Sequence, residues 1–322
     1  LTSGMANCNI DIYNGYCQVL AVKPDDPDVI FIGGTNLYRS TNGFLDTLHN
    51  TRIGGYSIDG NPNFTYRSGE HYPDQQYLTW HPTNPNILFS CNDGGSFRAN
   101  NCLKETMVYD KLNNGLVVSQ FYGIAIDHGS PGSEVIIGGL QDRGTFWTNE
   151  ANHLELWTSQ RGADGAYCAV EDGGGAYYMS TQYANIVRAK IASNGNKFFE
   201  ESVMPQNLSG GYLFVHPFTL DPTNQNRMYL PRLGTVLRNS NLSSVDNGSA
   251  PIWQEIANVG GTITTISASD SEEGVIYFGT SNGNIYRMDN AHAISSGAQL
   301  ISNGITKAGY ASCIAIDPQD AD

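Results

Sequence analysis

The sequence has little positive charge and no long apolar run. Only 17 of its 322 residues are Lys or Arg, against 31 Asp or Glu, which gives a formal net charge of −14. This balance argues against nucleic acid and anionic membranes as partners, because both are bound chiefly through clustered basic side chains. No apolar stretch approaches the roughly 18–20 residues that a spanning helix needs, so we expect no insertion into a membrane.

Sequence signals for targeting and for several enzyme classes are also missing. No signal peptide is visible at Leu1, which is not Met, and we expect a mature or trimmed product. The sequence contains no phosphate-binding loop, no zinc-type Cys-x-x-Cys pairs and no Gly-x-Ser-x-Gly nucleophile elbow. Of the six cysteines, only Cys8 and Cys17 form a plausible local disulfide, whereas Cys168 and Cys313 fall in inner-strand patterns where we expect small buried thiols.

A repeated pattern of short strands is the most informative feature that is present. Each copy has an apolar run, a turn, a second apolar run and a glycine-bearing loop, and ends in an aromatic or aliphatic residue followed by Arg or, in one copy, by Trp147. The six endings are Leu37-Tyr38-Arg39-Ser40, Ser96-Phe97-Arg98, Thr145-Phe146-Trp147, Ile186-Val187-Arg188, Val236-Leu237-Arg238-Asn239 and Ile285-Tyr286-Arg287. A repeat of roughly 45–60 residues made of short strands is typical of β-propeller blades.

The repeat predicts an all-β protein, a β-propeller with four-stranded antiparallel blades. We expect seven blades in a single domain over residues 1–322, starting near residues 18, 77, 120, 164, 213, 262 and 310. The seventh blade shows only its first strand, at residues 310–317, so we expect the native polypeptide to continue beyond residue 322. An incomplete ring would leave sheet edges exposed, and such edges invite aggregation.

Local signals place turns and strands within each copy. Asp25-Asp26-Pro27-Asp28 and Thr83-Asn84-Pro85-Asn86 are predicted turns between first and second strands, because Pro fixes φ and Asp or Asn stabilises a bend. Trp157 and Trp253 are predicted members of fourth strands. The Arg that recurs in five of the six endings is expected to be structural and to bond turn carbonyls.

Blade register collects polar residues in the loops near the propeller axis. The loops between second and third strands and the loops that enter the first strands share one face of a propeller. Tyr16 and Gln75 belong to this face, and so do the predicted ligand-binding residues, which are His71, Asp74, Asn92, Asp93, Gln141, Asp142, Asp164, Gln182, Tyr183 and Arg232. Their carboxylate and amide oxygens would suit Ca²⁺, although we expect no required cofactor. The same amides beside tyrosine rings also suit sugar hydroxyls or a peptide.

Three stretches resemble the secreted propellers with sortilin-type and BNR (Asp-box) repeats that are frequent in large surface proteins of Bacteroidetes. They are Asn92-Asp93-Gly94-Gly95-Ser96-Phe97-Arg98, Gly139-Leu140-Gln141-Asp142-Arg143-Gly144-Thr145 and Gly162-Ala163-Asp164-Gly165. The resemblance implies an extracellular or cell-surface propeller, with partners among other modules of a larger polypeptide or a surface complex. The first stretch is also similar to a catalytic loop of xyloglucanase-type glycoside hydrolases, which would make Asp93 the catalytic candidate.

These observations predict a non-catalytic protein that binds a glycan or protein ligand on its face rich in Asp and Tyr. The alternative is a glycoside hydrolase with an Asp pair that includes Asp93, its partner being Asp142 or Asp164. Retaining chemistry places the two carboxyl groups roughly 5 Å apart, and inverting chemistry about 6.5–9.5 Å apart. A third possibility is a structural module of a larger adhesin.

Overall fold

A computed structural model describes residues 8, 10–56, 71–116, 119–150, 152, 156–295, 297–302 and 309–321. These residues contain 24 strands and four short 3-10 turns, and no helix among them has the length and apolarity to cross a bilayer. The strands form six four-stranded antiparallel sheets in which neighbours along the chain are also hydrogen-bonded neighbours. Such sheets are the blades of a β-propeller, and the predicted fold class is confirmed.

The chain divides into two compact units, residues 1–118 and residues 119–322. The first unit contains blades one and two. Its strands are β1 (Val19–Lys23), β2 (Asp26–Gly33), β3 (Leu37–Ser40) and β4 (Asn50–Gly54) in blade one, and β5 (Gln75–His81), β6 (Asn84–Asn92), β7 (Gly95–Ala99) and β8 (Asp110–Lys111) in blade two.

The second unit contains blades three to six, each again with four strands in sequence order. They are β9 (Phe121–Ile126), β10 (Ile136–Leu140), β11 (Gly144–Thr148) and β12 (Thr158–Arg161); β13 (Cys168–Val170), β14 (Tyr177–Thr181), β15 (Asn185–Ile191) and β16 (Lys197–Ser202); β17 (Thr219–Asp221), β18 (Asn224–Arg232), β19 (Thr235–Asn239) and β20 (Gln254–Asn258); and β21 (Ile263–Ala268), β22 (Ile276–Thr280), β23 (Ile285–Met288) and β24 (Gln299–Leu300). The 3-10 turns are Tyr13–Gly15, Asp172–Gly174, Gln182–Ala184 and Leu242–Asn247.

The turns between first and second strands are tighter than predicted. In blade one the turn is Pro24-Asp25, and β2 already begins at Asp26. The pairing then jumps from Lys23↔Asp26 to Val22↔Ile30, so Pro27 lies in a bulge where its missing N–H costs no ladder hydrogen bond. The predicted turn at Asp25-Asp26-Pro27-Asp28 was therefore placed one residue too late.

The two predicted fourth-strand tryptophans lie just outside their strands. Trp157 precedes β12 and packs against Phe121, with ring centroids 5.8 Å apart. Trp253 precedes β20, and its Nε1 donates a hydrogen bond to the carbonyl of Val203 at 2.7 Å. Both rings therefore join a fourth strand to another element instead of taking part in the strand ladder.

Residues 310–317, the predicted first strand of a seventh blade, form no strand ladder. This segment follows blade six, where the Ala311 N–H donates to the carbonyl of Thr280 at 3.2 Å and the Thr264 hydroxyl donates to the carbonyl of Ala311 at 2.5 Å. Its one bridge joins Asp317 to Asp320. An ordered strand needs a hydrogen-bonded neighbour along its length, and among the described residues of this segment only Ala311 is hydrogen-bonded to blade six.

All six cysteines are free thiols, so the expected disulfide between Cys8 and Cys17 is not formed. The Cys17 thiol instead points at the Asp11 carbonyl and at Oδ1 of Asp74, with sulfur–oxygen distances of 3.7 Å in both cases. Cys168 lies in β13 as predicted. Cys313 is exposed and not buried, because its segment belongs to no sheet.

Each hydrophobic core lies between two neighbouring blades of the same unit. In the first unit Phe31 and Leu37 of blade one pack with Leu88 and Phe97 of blade two, and the ring of Trp80 meets that of Phe31 edge-on at 5.5 Å. In the second unit three further clusters join blades three and four, four and five, and five and six. Burying each large side chain stabilises the fold by about 1.5–3 kcal/mol, and both adjoining blades share that gain.

The recurring Arg of the third strand is structural as predicted, but its partners often lie in the next blade. Arg39 of blade one donates to the carbonyls of Cys102 and Lys104 of blade two, at 2.7 and 2.9 Å. Arg238 of blade five donates to the carbonyl of Ala291 in blade six at 2.6 Å. The guanidinium groups of Arg39 and Arg238 therefore connect neighbouring sheets.

Candidate functional site

Asp93 is presented by a rigid two-residue turn between β6 and β7. Asn92 pairs with Gly95 across the turn, and its side-chain oxygen accepts a hydrogen bond from the Gly94 N–H at 3.0 Å. Asn113 closes the other side by donating to the Gly94 carbonyl at 2.6 Å. The Asn92 side chain is only 7% exposed and stabilises the turn from its buried side. Asp93 is partly exposed at the tip of the turn.

The Asp93 carboxylate has two uncharged donors. Oδ2 accepts from the hydroxyl of Tyr16 at 2.9 Å, and Oδ1 accepts from the amide of Gln76 at 3.1 Å. Tyr16 is about half exposed, and no Lys or Arg is paired with Asp93 among the described residues. The carboxylate is therefore oriented but keeps its negative charge uncompensated.

Asp74 lies beside Asp93 in the same unit. One of its carboxylate oxygens is within 4.8 Å of a carboxylate oxygen of Asp93. Burial, and next the negative charge of Asp93, raise the pKa of Asp74 to about 6. Burial and Asp74 together raise the pKa of the Cys17 thiol to about 11, so that thiol stays protonated. We call Tyr16, Cys17, Asp74, Gln76 and Asp93 the aspartate patch.

His71 supports the aspartate patch from the core. Its ring is fully buried and stacks on Tyr109 with centroids 3.9 Å apart. Its Nε2 lies 3.0 Å from the Ser90 hydroxyl and 3.4 Å from the Asn92 amide. Burial lowers the pKa of His71 to about 3, so the ring is neutral. A ligand contact would need this packing to open.

In the second unit, Asp164 joins three loops. Its Oδ1 accepts a hydrogen bond from the Asp142 N–H at 2.9 Å, and its Oδ2 accepts one from the side-chain amide of Gln182. A backbone hydrogen bond also fixes the turn that contains Gln141, because the Gln141 N–H donates to the Gln120 carbonyl at 3.0 Å. Both carboxylate oxygens of Asp164 therefore hold neighbouring loops in position.

Arg232 braces a neighbouring loop. Its Nε donates to the carbonyl of Gly210 at 3.0 Å and its Nη2 to the carbonyl of Ser209 at 3.3 Å. The next residue, Leu233, donates its N–H to the carbonyl of Gly211 at 2.9 Å. These bonds fix the loop that follows β16 against the turn between β18 and β19.

Tyr183 stands over a groove formed by this loop. The groove has a volume of about 510 Å³, and its lining residues are Tyr183, Asn185, Met204, Pro205, Leu208, Ser209, Gly210, Gly211 and Tyr212. We call this cavity the tyrosine groove. Tyr183 is 61% exposed, yet its backbone is held at φ 59° and its N–H donates to the carbonyl of Phe214 at 3.1 Å. The Phe214 ring meets the Tyr183 ring edge-on at 5.6 Å, which fixes the exposed ring.

The structure brings the predicted residues together in two local sets. Asp74 and Asp93 meet in the first unit, and Asp142, Asp164 and Gln182 meet in the second. That all ten share one face stays a prediction. Sequence reasoning missed the groove walls formed by Met204, Leu208 and Tyr212, because the loop after β16 has no counterpart in the repeat. The exposed aromatic residues Tyr183 and Phe214 were the available signal.

Comparisons with known proteins concern only the fold. No protein-family description matches the sequence, and no curated protein sequence matches it. Among solved structures, the chain is similar to the extracellular domain of the putative one component system BT4673 from B. thetaiotaomicron, with 14% identity and a TM-score of 0.45, over 96% of this chain and 37% of that one. It is also similar to a chain of the Mitotic Checkpoint Complex, with 12% identity and a TM-score of 0.39, over 90% of this chain and 79% of that one. The chain thus spans little more than a third of the first of these structures.

Proposed function

We propose that the protein is a secreted or cell-surface propeller that binds a neutral glycan in the tyrosine groove without catalysis. The observation that carries this proposal is the Tyr183 ring, which is exposed and yet fixed by its backbone and by Phe214. Large exposed aromatic side chains in a concave surface are characteristic of ligand-binding sites, because ordering them on binding costs little entropy.

The chemistry of the groove fits a sugar. A pyranose ring offers C–H groups to an aromatic face and hydroxyl groups at its edge, and the groove supplies the Tyr183 ring together with the Asn185 amide and the Ser209 hydroxyl. Its volume lies within the roughly 300–1,000 Å³ range of small-ligand sites.

Charge favours a neutral ligand. No ionisable acid or base other than tyrosine lines the groove, and the guanidinium of the adjoining Arg232 is bound to two carbonyls. The net charge of −14 would repel anionic glycans at long range. The Asp-box resemblance, the surface location and further modules of the polypeptide remain parts of this proposal.

Binding to an array of neutral oligosaccharides, followed by calorimetry with the tightest ligand, tests the proposal. We expect Tyr183→Ala to weaken binding by at least about tenfold, which corresponds to about 1.4 kcal/mol. Tyr183→Gly should weaken it equally although Gly tolerates the positive φ better, so that misfolding does not explain the loss. Phe198→Ala removes another exposed aromatic ring from the same blade and should change affinity less than twofold. Equal affinities in all four proteins would refute the glycan site.

A second candidate function, glycoside hydrolysis, is favoured by the aspartate patch. A carboxylate oxygen of Asp74 lies within 4.8 Å of one of Asp93, which is compatible with the roughly 5 Å between carboxyl groups in retaining enzymes. The pKa of Asp74, raised to about 6 by burial and by Asp93, suits a proton donor. In this alternative Asp74 replaces Asp164 as the candidate partner of Asp93, since both oxygens of Asp164 bind loop donors. Asp142 remains a candidate partner.

Release of reducing sugar from xyloglucan and other neutral β-glucans tests the second candidate. Hydrolysis that is lost in both Asp74→Asn and Asp93→Asn would establish it. Loss in Asp142→Asn with activity retained in Asp74→Asn would identify Asp142 as the partner instead. Binding in the tyrosine groove without any release would leave the non-catalytic function. A Ca²⁺ dependence stays a prediction, and the same assays with and without EDTA test it.

A further inference from the structure

A second cavity in residues 119–322 lies at the opposite end of the blades from the tyrosine groove. It has a volume of about 540 Å³ and is formed where the first strands of blades three to six run into the turns that follow them. The tyrosine groove instead adjoins the turns between second and third strands. The two sites therefore occupy different ends of the strands in blades four and five.

Apolar side chains of four first strands form the walls of this axial cavity. Ile124 and Ile126 of β9 face Val170 of β13, Leu220 of β17 and Ala268 of β21 around the cavity. Ile124 is 62% exposed and Ile126 is 44% exposed, although the pattern of β9 is that of a buried strand. Such apolar surface in a concave site favours a ligand with an apolar group.

The rim of the axial cavity is acidic and unpaired. His128, Asp172 and Asp270 are exposed there, and among the described residues their side chains make no hydrogen bond or ion pair. Gln225 accepts a hydrogen bond from the Asp172 N–H at 2.5 Å, which holds the carboxylate of Asp172 at the rim. No Lys or Arg lines the cavity.

We propose that the axial cavity binds a peptide segment with one apolar anchor side chain flanked by lysine or arginine. The anchor would enter between Ile124, Leu220 and Ala268, and the flanking cations would meet Asp172 and Asp270. Complementary charge at a rim mainly accelerates association and selects the partner, while the buried apolar group supplies most of the affinity.

Fluorescence anisotropy with a labelled synthetic peptide, a leucine with two lysines on either side, tests this inference. Because the whole protein is acidic, two comparison peptides separate specific from general attraction: one replaces the lysines with glutamates and the other replaces the leucine with serine. We expect binding of the first peptide, at least about tenfold weaker binding of the serine peptide, and no binding of the glutamate peptide.

Matched variants locate the site. The double variant Asp172→Asn, Asp270→Asn should raise the Kd by about tenfold, whereas Glu201→Gln, Glu255→Gln removes equal charge from the outermost strands of blades four and five and should raise it less than twofold. Ile124→Ser should weaken the leucine peptide and leave the serine peptide unchanged. Absence of binding to the lysine peptide, equal effects of the two double variants, or equal binding of the glutamate peptide would each overturn the proposal. Because Tyr183 takes no part, these results are independent of the glycan assay.

Discussion

Arg188 of blade four donates a hydrogen bond from Nε to Oδ1 of Asp246, in the 3-10 turn of blade five, at 2.9 Å. The same guanidinium also donates to Glu171 and to the hydroxyl of Tyr178, and only 5% of the Arg188 side chain is exposed. A buried cation thus holds two carboxylates from different blades.

Arg188→Met should therefore destabilise the protein by about 3–5 kcal/mol, because it leaves the mostly buried Glu171 carboxylate without a cation and leaves Asp246 with only the ammonium of Lys190, at 2.8 Å. Urea unfolding followed by tryptophan fluorescence measures the loss. Arg98→Met is the matched control, since the pair of Arg98 and Asp110 is 41% and 44% exposed and should contribute about 0–1 kcal/mol. Similar losses in both variants would contradict a special role for Arg188.

We expect that any side chain at position 165, which is Gly165, would clash with the surrounding backbone. A Cβ at this position would lie 2.2 Å from the Gly144 carbonyl oxygen, next to the Asp164 that fixes three loops. Gly165→Ala should cost about 1–3 kcal/mol through overpacking. Gly162→Ala, where no atom lies within 4 Å, should stay within about 0.5 kcal/mol of the unsubstituted protein. Thermal unfolding of the two variants tests this contrast, and a neutral Gly165→Ala would show that the loops move apart freely.

Asp74 predicts an unusual pH dependence. Its folded pKa is raised to about 6, whereas an unfolded Asp titrates near 3.9. A raised carboxyl pKa stabilises the folded state at low pH, and that stabilisation is lost as pH rises from about 4 to about 6. The unfolding free energy of the protein, compared with that of Asp74→Asn, should thus fall over this window.

Carboxyl NMR provides the direct measurement of Asp74. In Asp93→Asn the pKa of Asp74 should move down, although burial keeps it above the ordinary value. An Asp74 resonance that titrates near pH 4 in the unsubstituted protein would contradict both this prediction and its role as a proton donor.

Two buried histidines should oppose the effect of Asp74 under acid conditions. Burial lowers the pKa of His71 to about 3 and that of His216 to about 4. Their contribution to the free energy of unfolding is fully present above the unfolded pKa of about 6.5. It is lost as pH falls from there toward their folded pKa values of about 3 and about 4. Imidazole NMR signals of both residues should stay constant between pH 8 and pH 5. A transition near pH 6.5 for His71 would show that its ring reaches solvent.

The repeat predicted the blades because strand alternation and turn residues recur in every copy. The third strands lie where the six endings placed them, since the pattern of apolar residues followed by Arg reflects packing between blades. The turn at Pro24 was misplaced because Pro27 signals a bend whether it occupies a turn or a bulge. Trp157 and Trp253 were misplaced because aromatic residues favour strands but also pack outside them.

The sequence repeat predicted which residues of the site lie in loops, but it did not predict their contacts. Register identified Asp74, Asp93, Asp142 and Asp164 as loop residues. It could not show that two amide groups already bind Asp164, nor that Asp74 is buried enough to raise its pKa. The tyrosine groove depends on the loop after β16, and no periodic signal describes that loop.

Cores shared between adjoining sheets make a blade a poor candidate for an independent folding module. Removing blade five, for example, would expose the buried side chains of both Tyr178 in blade four and Phe278 in blade six to solvent. Cooperativity should therefore propagate from neighbour to neighbour, as in linear repeat arrays. Insertion or deletion during evolution would be tolerated most easily as whole copies that restore both contacts, whereas the loops joining strands within a copy remain free to diversify.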